Sequence, residues 1–156
     1  MSDLYETDVV EWSERQAQLL RGVATRQPGN EQPDWDNIIE EVESVGRSQV
    51  HAVESLLMQA LLHDLKACAW PHSQNVPHWR AEARVFRSNA RRRFTPSMRP
   101  KVDVPGLFQE ALEGLPKTMD GYPPFQEGLV LAAAARPTTL DEALRETAGE
   151  GILPEA

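Results

Sequence analysis

The sequence has little of several residue types that define common protein classes. Cys68 is its only cysteine, which excludes an internal disulfide and a cysteine-rich zinc module. The longest uninterrupted apolar run, residues 129–135, has seven residues, whereas a membrane-spanning helix needs about 20. The first residues carry neither the basic segment nor the apolar segment of a secretory signal. We therefore expect a cytoplasmic protein that does not contact a membrane.

The length and composition fit one globular domain. The chain has 156 residues, of which 40% are hydrophobic and 26% are charged, values typical of a folded chain. Twelve prolines predict frequent helix ends. We expect a single helical domain over residues 1–156, with a loop-rich stretch at 118–137 and a mobile tail at 149–156.

Charge is distributed unevenly along the chain. The net charge is −8, yet residues 77–101 hold eight Lys or Arg side chains against one acid, Glu82, a local balance of +7. The segments 1–50 and 102–156 each have a balance of −7. Because an extended polyanion meets the field of the whole chain, we do not expect long duplex nucleic acid as a partner.

Three segments have a strong helical pattern. Apolar side chains recur at three- and four-residue steps over residues 8–24, 34–69 and 77–94, the spacing of one helix face. Asp8 and Asp34 are typical N-cap residues, and Pro77 suits a first helical turn. Gly46 interrupts the second pattern, but the apolar spacing continues past it. We therefore predict one long helix, bent or briefly interrupted at Gly46.

Shorter helices are expected near residues 107–115, at 126–135 and after Thr139, which forms a capping box with Glu142. No segment has a strand pattern. The predicted fold is an all-α, irregular helical bundle built on the hairpin between helices 34–69 and 77–94. Six residues of the long helix are predicted to face the core: Trp35, Ile38, Val42, Val53, Leu56 and Ala60.

The stretch from Asp34 to Ser48 contains the core Glu-Glu-x-Glu-x-x-Gly-Arg-Ser. It resembles the hallmark of a bacterial family known only as domain of unknown function 29. Other segments are similar in the same order, at residues 5–21 before this stretch and at residues 61–66, Trp79 with the arginine series, 96–99, 139–144 and 152–154 after it, whereas residues 118–137 fit poorly. The resemblance implies a small all-helical bacterial protein without an assigned activity.

The helix predicted over residues 77–94 is rich in arginine, and we call it the arginine helix. It is the first candidate site, because arginine forks bind phosphate and carboxylate groups in bidentate geometry. One interpretation is an external partner, either an acidic protein or a compact phosphate ligand. The other is internal pairing with Glu40, Glu41 and Glu43. The candidate ligand-binding residues are four arginines that lie along one line, one or two turns apart, and a fifth that extends the series: Arg80, Arg84, Arg87 and Arg91, then Arg92.

The acidic motif, which comprises Glu40, Glu41 and Glu43, offers an alternative site. Helical bundles bind metal ions where inward carboxylates meet Glu-x-x-His pairs from facing helices. Here the order is reversed, His51-x-x-Glu54, and occurs once, while charged helix faces are usually solvated. We therefore predict no metal ion and no cofactor. The alternative hypothesis is a metal-dependent helical-bundle enzyme that uses Glu40, Glu41, Glu43, His51 and Glu54.

Two further residues have ordinary structural interpretations. His63 lies in an apolar stretch and is predicted to be half-buried and hydrogen-bonded, and Cys68 is predicted to be a small core residue. The sequence as a whole favours a non-enzymatic binding or adaptor protein that acts through residues 77–94. A homo-oligomer is compatible with the same pattern.

Overall fold

A computed structural model describes residues 3–26, 29 and 32–145; the tail predicted at 149–156 lies outside these residues. Within them the chain forms seven α-helices, and strand pairing is limited to an isolated bridge between Met119 and Tyr122. This architecture confirms the predicted all-α fold and its long helical hairpin. The helices are α1 (Leu4–Thr7), α2 (Val9–Ala24), α3 (Trp35–Ala69), α4 (Val76–Arg93), α5 (Val104–Glu113), α6 (Gln126–Ala134) and α7 (Leu140–Ala143), with a 3₁₀ turn at Pro96–Met98.

Side-chain caps fix the starts of three helices, as the sequence predicts. The Asp8 carboxylate accepts a hydrogen bond from the Glu11 backbone N–H at 3.1 Å, which begins α2. Asp34 begins α3 in the same way. Thr139 and Glu142 form the expected capping box of α7. Each cap satisfies backbone donors that a helix leaves free in its first turn.

α3 runs for 35 residues without a break, and at Gly46 it lies very close to α2. A Cβ atom at Gly46 would lie 2.3 Å from Ser13 Oγ and 3.5 Å from Val10 Cα. The missing side chain therefore lets the two helix backbones approach closely. Ser13 has no exposed surface, and its hydroxyl donates to the Val10 carbonyl oxygen at 2.8 Å. The prediction of one helix through Gly46 is confirmed.

The buried face of α3 differs from the predicted one in its N-terminal half. Ile39, Gly46 and Val50 are buried there, whereas Ile38 is 39% exposed. The core assignment of Ile38 was therefore wrong. The reason is the close crossing at Gly46, which turns the glycine side of the helix toward α2. Of the other five predicted positions, Val53 and Ala60 are fully buried. Trp35, Val42 and Leu56 are partly buried.

The long helix α3 packs against α2, α4, α5 and α6, so the core surrounds it. The stretch 118–137 begins with a tight turn in which Asp120 (φ 53°) and Gly121 (φ 83°) both have positive φ, a conformation that Asp-Gly sequences favour. The short helix expected at 126–135 follows as α6. No helix in the described ranges has both the length and the apolar character needed to cross a membrane. The cytoplasmic location stays a prediction.

Candidate functional site

The arginines of α4 divide into two groups by burial. The helix turns a stripe of residues toward the core: Val76, Trp79, Ala83, Arg87 and Ala90. Arg87 belongs to this stripe because it follows Ala83 by four residues and precedes Ala90 by three. The other candidate arginines lie beside the stripe or opposite it.

Arg87 is a structural residue. It is 1% exposed, its Nη2 donates to Asp64 Oδ2 at 2.5 Å, and its Nε donates to the Ala143 carbonyl oxygen at 2.9 Å. One guanidinium therefore joins α3, α4 and α7. This enclosure overturns the prediction that Arg87 contacts an external ligand.

Arg91 also contributes to the attachment of α7. Its Nη1 donates to the Leu144 carbonyl oxygen at 2.6 Å, just after the last residue of that helix. Its side chain is partly buried. A cation beside the carbonyl end of a short helix is favourable, since the unsatisfied carbonyls there carry partial negative charge.

Arg84, Arg92 and Arg93 lie on the exposed part of α4, and none of them has a hydrogen bond or ion pair with another described residue. Arg92 and Arg93 occupy the last turn of α4, where cations complement the helix dipole. Arg84 lies in the middle of the helix and has no such role. Arg80 is partly buried, and its positive charge lowers the pKa of the Cys68 thiol.

Cys68 is buried, as predicted. Burial and, more weakly, the Asp64 carboxylate raise the pKa of its thiol to about 11, although the Arg80 guanidinium acts in the opposite direction. Because the thiolate is the nucleophilic form of cysteine, this environment gives no support to a catalytic role for Cys68.

The acidic motif finds its partners elsewhere than on α4. Arg21 of α2 donates to Glu43 Oε1 at 2.6 Å, and Arg47 donates to Glu40 within α3 itself. Glu41 is exposed. Internal pairing of the arginine helix therefore takes place with Asp64 and the carbonyl groups at the end of α7, and the pairing considered with Glu40, Glu41 and Glu43 is wrong.

The residues of the metal alternative do not converge. His51 is 74% exposed at its side chain, and its Nδ1 lies 3.1 Å from Glu54 Oε2 one turn away. Glu40 and Glu43 are held by arginines. In the part of the chain that the structure describes, no group of three or more His, Cys, Asp or Glu side chains is arranged to hold a metal ion.

His63 lies at the contact of α3 with α4, in a pairing that the sequence analysis missed. Its Nδ1 lies 2.7 Å from the Gln59 carbonyl oxygen, and its Nε2 lies 2.7 Å from Glu82 Oε2. Glu82 also approaches His78 at 3.4 Å. A protonated His63 ring donates to both acceptors. The predicted hydrogen bonding of His63 is confirmed, but the residue is 8% exposed and thus buried, not half-buried. Its partner Glu82 is the single acid of residues 77–101.

Asp8 is a second residue whose role the sequence analysis found only in part. Besides capping α2, its carboxylate accepts hydrogen bonds from the Ser97 hydroxyl at 2.7 Å and the Ser97 backbone N–H at 3.0 Å. Burial raises the pKa of Asp8, but the hydrogen bonds from Ser97 and Glu11 outweigh it, so the pKa is lowered. Asp8 therefore ties the 3₁₀ turn to α2 as a carboxylate.

An open cleft of about 740 Å³ lies where α3 ends and α4 begins. Residues 69–75 form one wall and residues 119–125 the other. The Trp70 indole Nε1 donates to the Tyr122 carbonyl oxygen at 3.0 Å and holds the two walls together. The sequence analysis missed this cleft because it depends on contact between segments about 50 residues apart.

The model of the family described as "Domain of unknown function DUF29" matches residues 4–127. The chain belongs to this family. The match includes α1–α5 and the acidic motif, and it ends at the beginning of α6. The family has no assigned function, and no curated protein matches the chain.

A solved structure shares the fold of this family member. It is the crystal structure of an alpha-helical protein of unknown function from Rhodospirillum rubrum ATCC 11170, determined at 1.45 Å. The two chains superpose with a TM-score of 0.70 at 20% sequence identity, over 99% of this chain and 100% of the other. The similarity shows the helical architecture alone, so a function has to be inferred from the residues of the site.

Proposed function

We propose that this protein is a non-enzymatic binding protein that holds an anionic partner on the exposed side of α4. The observation that carries the proposal is Arg84, an exposed mid-helix arginine without a described ion pair, two turns before Arg92. Four other exposed cations lie beside carboxylates: Arg21, Arg47, Arg99 and Lys101. Isolated cations such as Arg15 and Lys117 lie in acidic segments, whereas Arg84 lies in the +7 segment.

The fold supports this use of α4 by fixing the helix on its opposite side. Trp79 and Arg87 are both buried, and Arg87 binds α3 and α7 at once. A rigid backbone under exposed arginines reduces the entropy lost when they bind a ligand. The buried arginine thus positions the exposed ones.

The charge distribution favours a compact phosphate-bearing ligand. Guanidinium groups bind phosphate with two parallel hydrogen bonds. The flanking segments of −7 repel an extended anion, whereas a small one meets mainly the charges within a Debye length of about 8–10 Å. An acidic protein surface has the larger footprint and meets more of that repulsion, so it is the less favoured partner.

The test is calorimetric titration with inorganic tripolyphosphate. We expect the Arg84→Ala, Arg92→Ala, Arg93→Ala triple variant to bind about tenfold or more weakly than the wild type, because each charge-assisted contact contributes about 1.5–3 kcal/mol. The matched control is the triple variant Arg21→Ala, Arg47→Ala, Arg99→Ala, which removes the same charge from paired positions. Equal losses in both triple variants would show that only net charge matters and would contradict the proposal. Wild-type protein that ignores tripolyphosphate but binds an acidic peptide would favour the protein partner.

A further inference from the structure

The open cleft at the junction of α3 and α4 holds two of the three Phe, Tyr or Trp side chains that are exposed in the described structure. Tyr122 is 71% exposed and Phe125 is 48% exposed, and both line the cleft. The third, Tyr5, packs edge-on against Trp12 with the ring centroids 4.9 Å apart. Tyr122 and Phe125 have no ring or cation partner among the described residues. Their ring faces are therefore available to a ligand.

Backbone hydrogen bonds fix the walls of the cleft. Met119 and Tyr122 exchange two of them across the tight turn, at 2.8 and 2.9 Å. Residues directly opposite each other in such a pair place their side chains next to each other on the same face. The Phe125 N–H donates to the Ala69 carbonyl oxygen at 2.7 Å, and the Trp70 indole donates to the Tyr122 carbonyl oxygen. Because the fold itself holds the walls, a ligand loses little free energy to ordering them.

The cleft has one full charge, and it is negative. Asp120 is the only Asp, Glu, Lys or Arg among the described residues that line it. The Asp120 carboxylate is exposed and has no hydrogen bond or ion pair with another described residue. Aromatic ring faces carry partial negative charge as well. The rings and the carboxylate therefore attract the same class of ligand, a cation, and disfavour an anion.

We infer that this cleft binds a small organic cation with a methylated ammonium group, which Tyr122 and Phe125 contact with their ring faces and Asp120 attracts. Such a group presents apolar methyl groups that share a positive charge, the chemistry that aromatic rings bind. A primary ammonium would give up as many as three hydrogen bonds to water, which rings do not replace. The volume of about 740 Å³ lies within the range of small-molecule sites, about 300–1,000 Å³.

Titration calorimetry of the full chain with choline tests the inference, at about pH 8, where an ordinary histidine such as His72 in the cleft is neutral. The reference probe is neohexyl alcohol, which has carbon in place of the charged nitrogen. We expect choline to bind about tenfold or more tightly than the alcohol, because the rings and the carboxylate attract only the cation. Equal affinities for the two probes, or no saturable binding of choline, would overturn the inference.

Variants of two lining residues test the site itself. Asparagine tolerates positive φ, so Asp120→Asn, at φ 53°, keeps the turn while removing the charge. It should weaken choline binding about fivefold and leave the alcohol unaffected. Tyr122→Leu keeps an apolar side chain without a ring face and should reduce the preference for choline over the alcohol. Asp36→Asn is the matched control, because it removes the same charge from an exposed position at the opposite end of α3.

A choline affinity that Asp120→Asn leaves unchanged, or that Asp36→Asn lowers equally, would contradict the role of Asp120. A preference that Tyr122→Leu leaves intact would contradict the role of the ring. The exposed arginines of α4 do not line the cleft, so tripolyphosphate should not displace choline, and either proposed site can fail without the other.

Vesicles of phosphatidylcholine distinguish a free ligand from a lipid headgroup with the same ammonium chemistry. We expect the vesicles not to compete with choline, since the phosphate beside each lipid ammonium is repelled by Asp120. Vesicles that displace choline from the wild type would show that the group is recognised on a lipid and would overturn the inference of a small free cation.

Discussion

Arg87 of α4 and Asp64 of α3 form an ion pair in the interior, with Nη2 2.5 Å from Oδ2 and the Arg87 side chain almost fully enclosed. The same guanidinium binds the Ala143 carbonyl oxygen. The two arms of the long hairpin and the last described helix therefore meet at one side chain. Two arginines of α4, Arg87 and Arg91, therefore hold the fold together, and the exposed Arg84, Arg92 and Arg93 are available for a partner.

Arg87→Ala should lower the free energy of unfolding by about 3–5 kcal/mol, because it leaves the partly buried Asp64 carboxylate without its ion-pair partner and the Ala143 carbonyl oxygen without its donor. Arg84→Ala, three residues before Arg87, removes the same side chain from an exposed position and should change stability by less than about 0.5 kcal/mol. Urea unfolding of both variants measures the difference. Similar losses for the two variants would contradict the division of α4 into structural and free arginines.

Gly46→Ala should destabilise the wild type by up to about 2.5 kcal/mol, yet stabilise a Ser13→Ala background by about 0.5–1 kcal/mol. In the wild type, the new Cβ forces the Ser13 hydroxyl off the Val10 carbonyl oxygen and leaves it buried without a partner, at a cost of about 1–3 kcal/mol. Without that hydroxyl, the higher helix propensity of alanine remains. A double-mutant cycle in urea tests this coupling, and identical effects in both backgrounds would rule it out.

Ile39→Ala and Ile38→Ala compare the buried and exposed sides of α3 at adjacent positions. Ile39 is 7% exposed and Ile38 is 39% exposed. The first substitution should lower the free energy of unfolding by about 2–5 kcal/mol and the second by clearly less, because a cavity forms only where the site is enclosed. Thermal melts show which variant loses more stability. A larger loss for Ile38→Ala would contradict the buried face described here and support the one predicted from the sequence pattern.

Asp8 makes part of the stability depend on pH. Because its pKa is lowered in the folded chain, the carboxylate stabilises the fold above the ordinary pKa of the unfolded chain, and this contribution is lost as the pH falls through the folded value. Asp8→Asn keeps an N-cap side chain but cannot titrate. The stability difference between wild type and variant should therefore shrink as the pH is lowered from about 7 to about 3. A constant difference would show that the charge of Asp8 is unimportant.

The sequence predicted the helices well because their starts depend on local signals. Asp8, Asp34 and Thr139 each cap a helix through bonds to residues three positions later. The face that α3 buries depends on the contact of Gly46 with Ser13, 33 positions away in the chain. Periodicity within one helix does not contain that information.

The candidate site was only partly predicted, because contacts between distant residues decide which of its arginines are buried. Composition and spacing identified α4 as the cationic helix, but the sequence alone left open which arginines it buries. One local signal was present: Arg87 falls on the stripe that contains Trp79, Ala83 and Ala90. Its partners, Asp64 and Ala143, come from helices 23 and 56 positions away, so only the structure identifies them.

The most direct test measures tripolyphosphate binding and melting temperature side by side for Arg84→Ala and Arg91→Ala. Arg84 has no described ion pair, whereas Arg91 donates to the Leu144 carbonyl oxygen at 2.6 Å. We predict that Arg84→Ala weakens binding by about tenfold or more and leaves the melting temperature unchanged, and that Arg91→Ala destabilises the fold by about 1–3 kcal/mol. Unchanged binding by Arg84→Ala, together with a lowered melting temperature, would contradict the assignment of the exposed side of α4 as an anion-binding surface.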